Sequence, residues 1–89
     1  MDPAYEIVLH PRVERELDKI SSDIFSKIDA AIRALRENPR PFGVKKLDEN
    51  LHRVRVGNWR IIYAIFDQVR RVVILHVTRR TERTYKRLR

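Results

Sequence analysis

No cysteine occurs in the 89 residues, so a disulfide framework and a thiolate metal site are both excluded. Glycine is almost as scarce: there are only Gly43 and Gly57, and neither belongs to a glycine-rich phosphate loop. His10, His52 and His76 show no metal-ligand spacing, and no paired-carboxylate pattern accompanies them. Serine occurs only at Ser21, Ser22 and Ser26, at the start of a predicted helix with no histidine beside it, which argues against a nucleophilic triad. No apolar run approaches the roughly 18 residues of a membrane span. Asp2 and Glu6 interrupt any signal-peptide pattern. These absences lead to the expectation of a soluble, cytoplasmic protein with no cofactor and no membrane partner.

What is present is an ordinary apolar content, 43%, which suits a folded chain rather than a disordered one. The length predicts one domain over residues 1–89 with a thin core, because a chain of this size buries only about 60–65% of its unfolded surface. The charge is less ordinary. Lys and Arg number 20 against 12 Asp and Glu, a net charge of +8. Residues 1–38 hold six of those basic residues and eight of the acids, so the excess lies in the second half. Such a distribution predicts one basic face and a polyanionic partner, either nucleic acid or an acidic protein.

The hydrophobic period changes along the chain. Residues 4–9, AYEIVL, read as a strand closed off by Pro11. Val13, Leu17 and Ile20 then recur at helical spacing, with Pro11 suited to the first turn. Ser21 or Ser22 is expected to cap a second helix, whose apolar stripe is Ile24, Phe25, Ile28, Ala31, Ile32 and Leu35. The stretch ENPRPFG ends it. From Leu51 to Val56 the period becomes two, with Leu51, Arg53 and Arg55 on one face and His52, Val54 and Val56 on the other. Gly57-Asn58 reverses the order usual in a tight hairpin, which allows a longer turn. Trp59–Phe66 reads as a central strand, Asp67-Gln68 as a turn, and Arg71–Thr78 as a further strand. The basic tail RRTERTYKRLR has room for one helical turn. The expected architecture is α+β, with an N-terminal strand, a helical hairpin and a three-stranded antiparallel meander (β-αα-βββ), the hairpin lying on one face of an antiparallel sheet.

The residues left to carry chemistry are Arg53, Arg55, Arg60, Arg79, Arg80 and Tyr85, with His52 and His76 nearby. Arginine forks onto phosphate and stabilises charge that develops in a transition state. It does not act as a base, since its pKa lies above about 12. A tyrosine among guanidiniums would have its phenol pKa lowered and accept a proton. The set suits metal-independent phosphodiester chemistry with the RNA 2′-hydroxyl as nucleophile. Two readings stay open at this level: a solvated strand face, or a surface that holds phosphate. His76 likewise reads as a packed strand residue or a catalytic one, and His52 falls on the apolar side of its strand.

The runs NPRPFGVKKL, LHRVRVGNWRIIYAI and ILHVTRRTERTY, in that order, resemble the RelE/ParE toxin superfamily. The likeness covers essentially the whole chain, and its specificity lies in the ordered combination rather than in any one motif. It implies the toxin of a type II toxin–antitoxin pair, neutralised by an acidic cognate antitoxin and meeting operator DNA only through that complex. RelE-like members cut ribosome-bound mRNA, whereas ParE-like members inhibit DNA gyrase without catalysis; the RelE-like alternative is the expectation here. Carried over by position, the RelE-type catalytic set falls on Arg53, Arg55, Arg60, Arg80 and Tyr85. Within it Arg60, Arg80 and Tyr85 are the expected catalytic residues and Arg53 and Arg55 the expected phosphate holders; Arg79, outside that set, is expected to hold phosphate beside them. Two departures stand out. Arg53 and Arg55 replace the lysines familiar at those positions, and because arginine keeps its proton the base role moves toward Tyr85. Thr78 replaces a frequent glycine, and the spacing to Tyr85 is slightly altered with it. Trp59 takes the family's usual tyrosine position, where it supports the turn or stacks on a base.

Overall fold

The computed structural model describes residues 4–79. Its elements are β1 (Glu6–Leu9), α1 (Pro11–Asp18), α2 (Ser22–Ala34), β2 (Lys45–Lys46), β3 (Leu51–Val56), β4 (Trp59–Phe66), a 3-10 turn (Asp67–Val69) and β5 (Arg71–Arg79). The strands form one sheet in the order β1-β5-β4-β3-β2. The expected α+β class and the β3-β4-β5 meander are therefore found, with two differences.

First, the sheet has five strands rather than four. Lys45 pairs with Arg53 and Lys46 with His52, and a turn closed by Leu47 N–H donating to the Leu51 carbonyl (2.8 Å) joins β2 to β3. Two lysines are too short and too polar to show a strand period. Second, the sheet is mixed, because β1 runs parallel to β5, from Glu6 opposite Arg71 to Leu9 opposite Ile74. A parallel pair needs a long crossover, and here everything from α1 to β4 supplies it. Local patterning does not encode which way a distant strand will run.

The helices follow their expected caps only in part. His10 is the N-cap of α1, its Nδ1 accepting the Arg12 N–H at 3.1 Å, and Pro11 opens the helix. The helix ends at Asp18, so Ile20 packs on the core from the turn rather than from the helix. Ser21 sits at the N-cap of α2, but its hydroxyl makes no capping bond. Its carbonyl instead accepts the Phe25 N–H at 2.8 Å.

Both helices pack on the same side of the sheet. Val13 of α1 meets Ile28, Ile32 and Leu35, and together they bury Ile61, Tyr63 and Ile65 of β4 with Val72, Ile74 and Val77 of β5. Each such side chain removed from water contributes about 1.5–3 kcal/mol. The Tyr63 hydroxyl is satisfied by donating to the Pro39 carbonyl at 2.7 Å, and burial pushes its phenol up to about 12. His52 is the one buried polar residue among those described, 3% exposed. Its ring stacks on Tyr63 at 5.8 Å, and its Nδ1 lies 3.0 Å from the Asn50 carbonyl. His52 is thus a core residue.

The β3–β4 turn is short. Val56 pairs with Trp59, so Gly57-Asn58 alone makes the connection. Gly57 has φ +60°, and Asn58 is not in the positive-φ region. A positive φ at the first central residue is the type II′ pattern, which explains why glycine comes first.

Candidate phosphate-binding face

Residues directly opposed on neighbouring strands project from the same face of a sheet. The β3–β4 register therefore sorts the side chains into two sets. His52 with Tyr63, Val54 with Ile61, and Val56 with Trp59 point toward the helices. Arg53 with Ile62 and Arg55 with Arg60 point to the other face. Extended across the sheet, one row reads Lys45, Arg53, Ile62 and His76, and the next reads Arg55, Arg60 and Thr78.

Arg53, Arg55 and Arg60 are therefore brought together on one face. Arg55 is exposed, whereas Arg53 and Arg60 are half-buried with their Nε atoms enclosed. Their stems are packed, which limits how far their guanidiniums swing. Like charges directly opposed across strands are unfavourable, and Arg55 faces Arg60. A bound anion would turn that cost into an attraction.

The other expected site residues fall elsewhere. Arg79 pairs with Trp59, which places it on the side away from the arginine rows. With Trp59, Lys19, Lys27, Ile20 and Ile24 it lines a groove of about 520 Å³ beside the β3–β4 turn. Trp59 also packs against the core, in keeping with a role in supporting that turn. Arg80 and Tyr85 lie outside the described residues.

Two residues near the arginines were missed by the sequence reading. Lys45 reaches the first row only because β2 exists. Glu16, on α1, meets the outer edge of β5 where β1 has already ended. Its Oε1 accepts the Val77 N–H at 2.8 Å, and its Oε2 lies 2.5 Å from His76 Nδ1. Neither position carries a local signal, since one is a lysine in a loop-like stretch and the other an acid on a polar helix. Among the described residues, no three of His, Asp and Glu converge as a metal site would require.

A second polar cluster sits at the opposite end of β4. Arg40 reaches Asp67 with both terminal nitrogens, at 3.2 and 2.8 Å, and the Tyr5 hydroxyl donates to Asp67 at 2.6 Å. The Arg40 bonds, then the Tyr5 bond, hold the Asp67 carboxyl down at about 2. The hydrogen bond to Asp67 also raises the Tyr5 phenol above its ordinary value. The Arg70 guanidinium lies over the Tyr5 ring, 5.3 Å from its centre. This cluster ties the loop after α2 and the start of β1 to the β4–β5 turn.

The described residues thus set a helical hairpin behind a mixed five-stranded sheet, with Arg55 and Arg60 opposed in front. The chain belongs to the RelE/ParE superfamily: the family model of the ParE toxin of type II toxin–antitoxin systems matches residues 7–84. RelE1 of Methanocaldococcus jannaschii is 30% identical over 87 residues, covering 92% of this chain and 96% of that protein. The toxin RelE of Mycobacterium tuberculosis is 30% identical over 83 residues, covering 90% and 86%. The archaeal RelE–RelB complex from Pyrococcus horikoshii shares the fold, with a TM-score of 0.82 at 24% identity over 89% of this chain and 98% of that one. No helix among the described residues is long and apolar enough to cross a membrane.

Proposed function

We propose that this toxin is a metal-independent endoribonuclease that cuts mRNA held on the ribosome. The supporting observation is the pair of adjacent rows carrying Arg53, Arg55 and Arg60 on the face away from the helices. In this reading Arg53 and Arg55 hold the backbone phosphates, and Arg60 stabilises the negative charge that builds on the scissile phosphate. The RNA 2′-oxygen attacks phosphorus, so no separate nucleophile is needed. Arg80 and Tyr85 complete the set by resemblance, Arg80 at the phosphate and Tyr85 as acceptor of the 2′-OH proton. The ribosome orders the mRNA, and the chain acts in the cytoplasm.

The partner in this reading is an acidic antitoxin, as the net charge of +8 favours and as RelE of Pyrococcus horikoshii is found with RelB. By covering the arginine rows it would exclude RNA and bring the complex to operator DNA. A ligand that binds only the folded state also stabilises it by mass action.

The family model matched is that of the ParE toxin, which favours a second reading: a gyrase inhibitor with no catalysis of its own. Shared fold does not decide between the two. Induction of the wild type beside an Arg80→Ala/Tyr85→Phe variant, with mapping of mRNA ends and a gyrase supercoiling assay, separates them. The ribonuclease reading expects new mRNA ends at the ribosomal A site in the wild type only. Intact mRNA with stalled gyrase would replace it with the second reading.

A further inference from the structure

We propose that His76, oriented by Glu16, is the general base of the cleavage reaction. The proposal rests on the ribonuclease reading and moves the proton acceptor from Tyr85 to a residue on the sheet. Three observations carry it.

The first is place. His76 shares a row with Arg53 through Ile62. Two strand spacings put its backbone roughly 10 Å from that of Arg53, and Arg60 lies in the adjacent row. The second is access. The His76 side chain is 39% exposed, although its Nδ1 is enclosed, so the remainder of the ring is the part open to a substrate. His52, 3% exposed, offers no such access. The third is orientation. Glu16 Oε2 lies 2.5 Å from His76 Nδ1, close enough to pair although not in line for a well-aligned hydrogen bond, and a carboxylate only accepts. The proton of the neutral ring is then on Nδ1, which leaves the Nε2 lone pair as the acceptor. The carboxylate is itself fixed, because its other oxygen takes the Val77 N–H at 2.8 Å. A base held by a carboxylate that is held in turn by the backbone is the arrangement proton transfer requires. Arg53, Arg55 and Arg60 keep their protons and so supply no base among themselves.

The step balances without a further reactant. His76 Nε2 takes the 2′-OH proton as the 2′-oxygen bonds to phosphorus, and the bond from phosphorus to the 5′-oxygen breaks. The leaving oxygen takes a proton from water, and the imidazolium returns its proton to the hydroxide so formed. The products are a 2′,3′-cyclic phosphate and a 5′-hydroxyl.

The test is single-turnover cleavage of ribosome-bound mRNA by the full chain, with folding of each variant checked by its amide NMR spectrum. His76→Ala is expected to lower the maximal rate about 100-fold, the lower range for general base catalysis, with half-saturation changed less than twofold. Added imidazole should restore at least tenfold of the loss, a rescue that a merely structural histidine would not show. Glu16→Gln keeps an acceptor for Val77 but loses the charge facing His76, and should lower the maximal rate about tenfold. If His76→Ala does not fold, His76→Gln and Glu16→Gln carry the same rate prediction. An unchanged maximal rate, or a loss that imidazole leaves untouched while Tyr85→Phe abolishes cleavage, would overturn the dyad and leave the ribonuclease reading standing. A wild type that leaves mRNA intact overturns both.

Discussion

The two faces of the sheet are built from the same strands, yet they obey opposite rules. On the helix side Tyr63 and Ile61 pack in a cluster of buried apolar side chains, and the buried ring of His52 is stacked on Tyr63 with its Nδ1 3.0 Å from the Asn50 carbonyl. On the other side the same strands place Arg55 directly opposite Arg60, next to a row with Arg53, His76 and Lys45. The first face lowers the free energy of the fold by burial. The second sets like charges side by side, an arrangement suited to holding an anion. Residues one apart along β3 and β4 therefore contribute to different properties, and substitutions should separate them.

The largest effect is expected on the arginine face. Arg60→Ala should lower mRNA cleavage by about 100- to 1,000-fold, the range seen on loss of one donor to a developing oxyanion. Its thermal midpoint should fall by less than that of any core truncation. Cleavage within threefold of wild type would show that the arginine rows are a solvated surface, and the contrast between faces would lose its functional meaning.

Truncation on the helix side should do the reverse. Ile74 is fully buried among Val13, Ile61 and Val72, and Ile74→Ala should cost about 3 kcal/mol by lost transfer and cavity formation. In a domain of this size about 1 kcal/mol corresponds to 4–8 °C, so a calorimetric midpoint lowered by more than 10 °C is the expected outcome. The residue touches none of the arginine rows, so cleavage per folded molecule should stay near wild type at temperatures where the variant is folded.

A double substitution, Arg53→Ser with Arg55→Ser, tests whether the open face is shared between RNA and antitoxin. It should weaken both cleavage and antitoxin binding, and it should flatten the salt dependence of antitoxin association, since screening acts over about 8 Å at physiological ionic strength. Unchanged affinity with unchanged salt dependence would mean that neutralisation works from elsewhere on the domain, for instance from the groove lined by Lys19, Lys27 and Arg79.

Those contrasts also show which parts of the molecule were legible in the chain. The alternation LHRVRV assigns Arg53 and Arg55 to one face because period two is a property of a single strand. The hairpin then brings in Arg60 by register alone. Lys45, Glu16 and the direction of β1 were not legible, because each depends on pairing between distant segments. Glu16 reaches His76 across 60 residues of sequence, at a place where β5 runs past the end of β1. Arg79 is expected among the phosphate holders, yet the β4–β5 pairing puts it opposite Trp59. A bulge between Ile62 and Tyr63 shifts that register, and bulges leave little trace in sequence. Composition pointed to a basic face, and only pairing decided which basic residues share it.

The smallest predicted effect lies away from both faces, at the cluster of Tyr5, Arg40 and Asp67. The bonds from Arg40 and then Tyr5 hold the Asp67 carboxyl at about 2, below the ordinary carboxylate value of about 3.9. A carboxylate whose folded pKa is depressed binds protons more weakly folded than unfolded. Its stabilising contribution is therefore complete above about pH 4 and disappears as the pH falls toward 2. The Asp67 side chain is 54% exposed and that of Arg40 47%, so solvent screening keeps the contribution within about 1 kcal/mol. Asp67→Asn should lower the thermal midpoint by a few degrees at pH 7, and the difference from wild type should shrink steadily between pH 4 and pH 2. A difference that stays constant across that interval would mean that Asp67 acts through packing or neutral hydrogen bonding, not through its charge. Cleavage at pH 7 should be unaffected either way, because the cluster braces the end of β4 opposite the arginine rows.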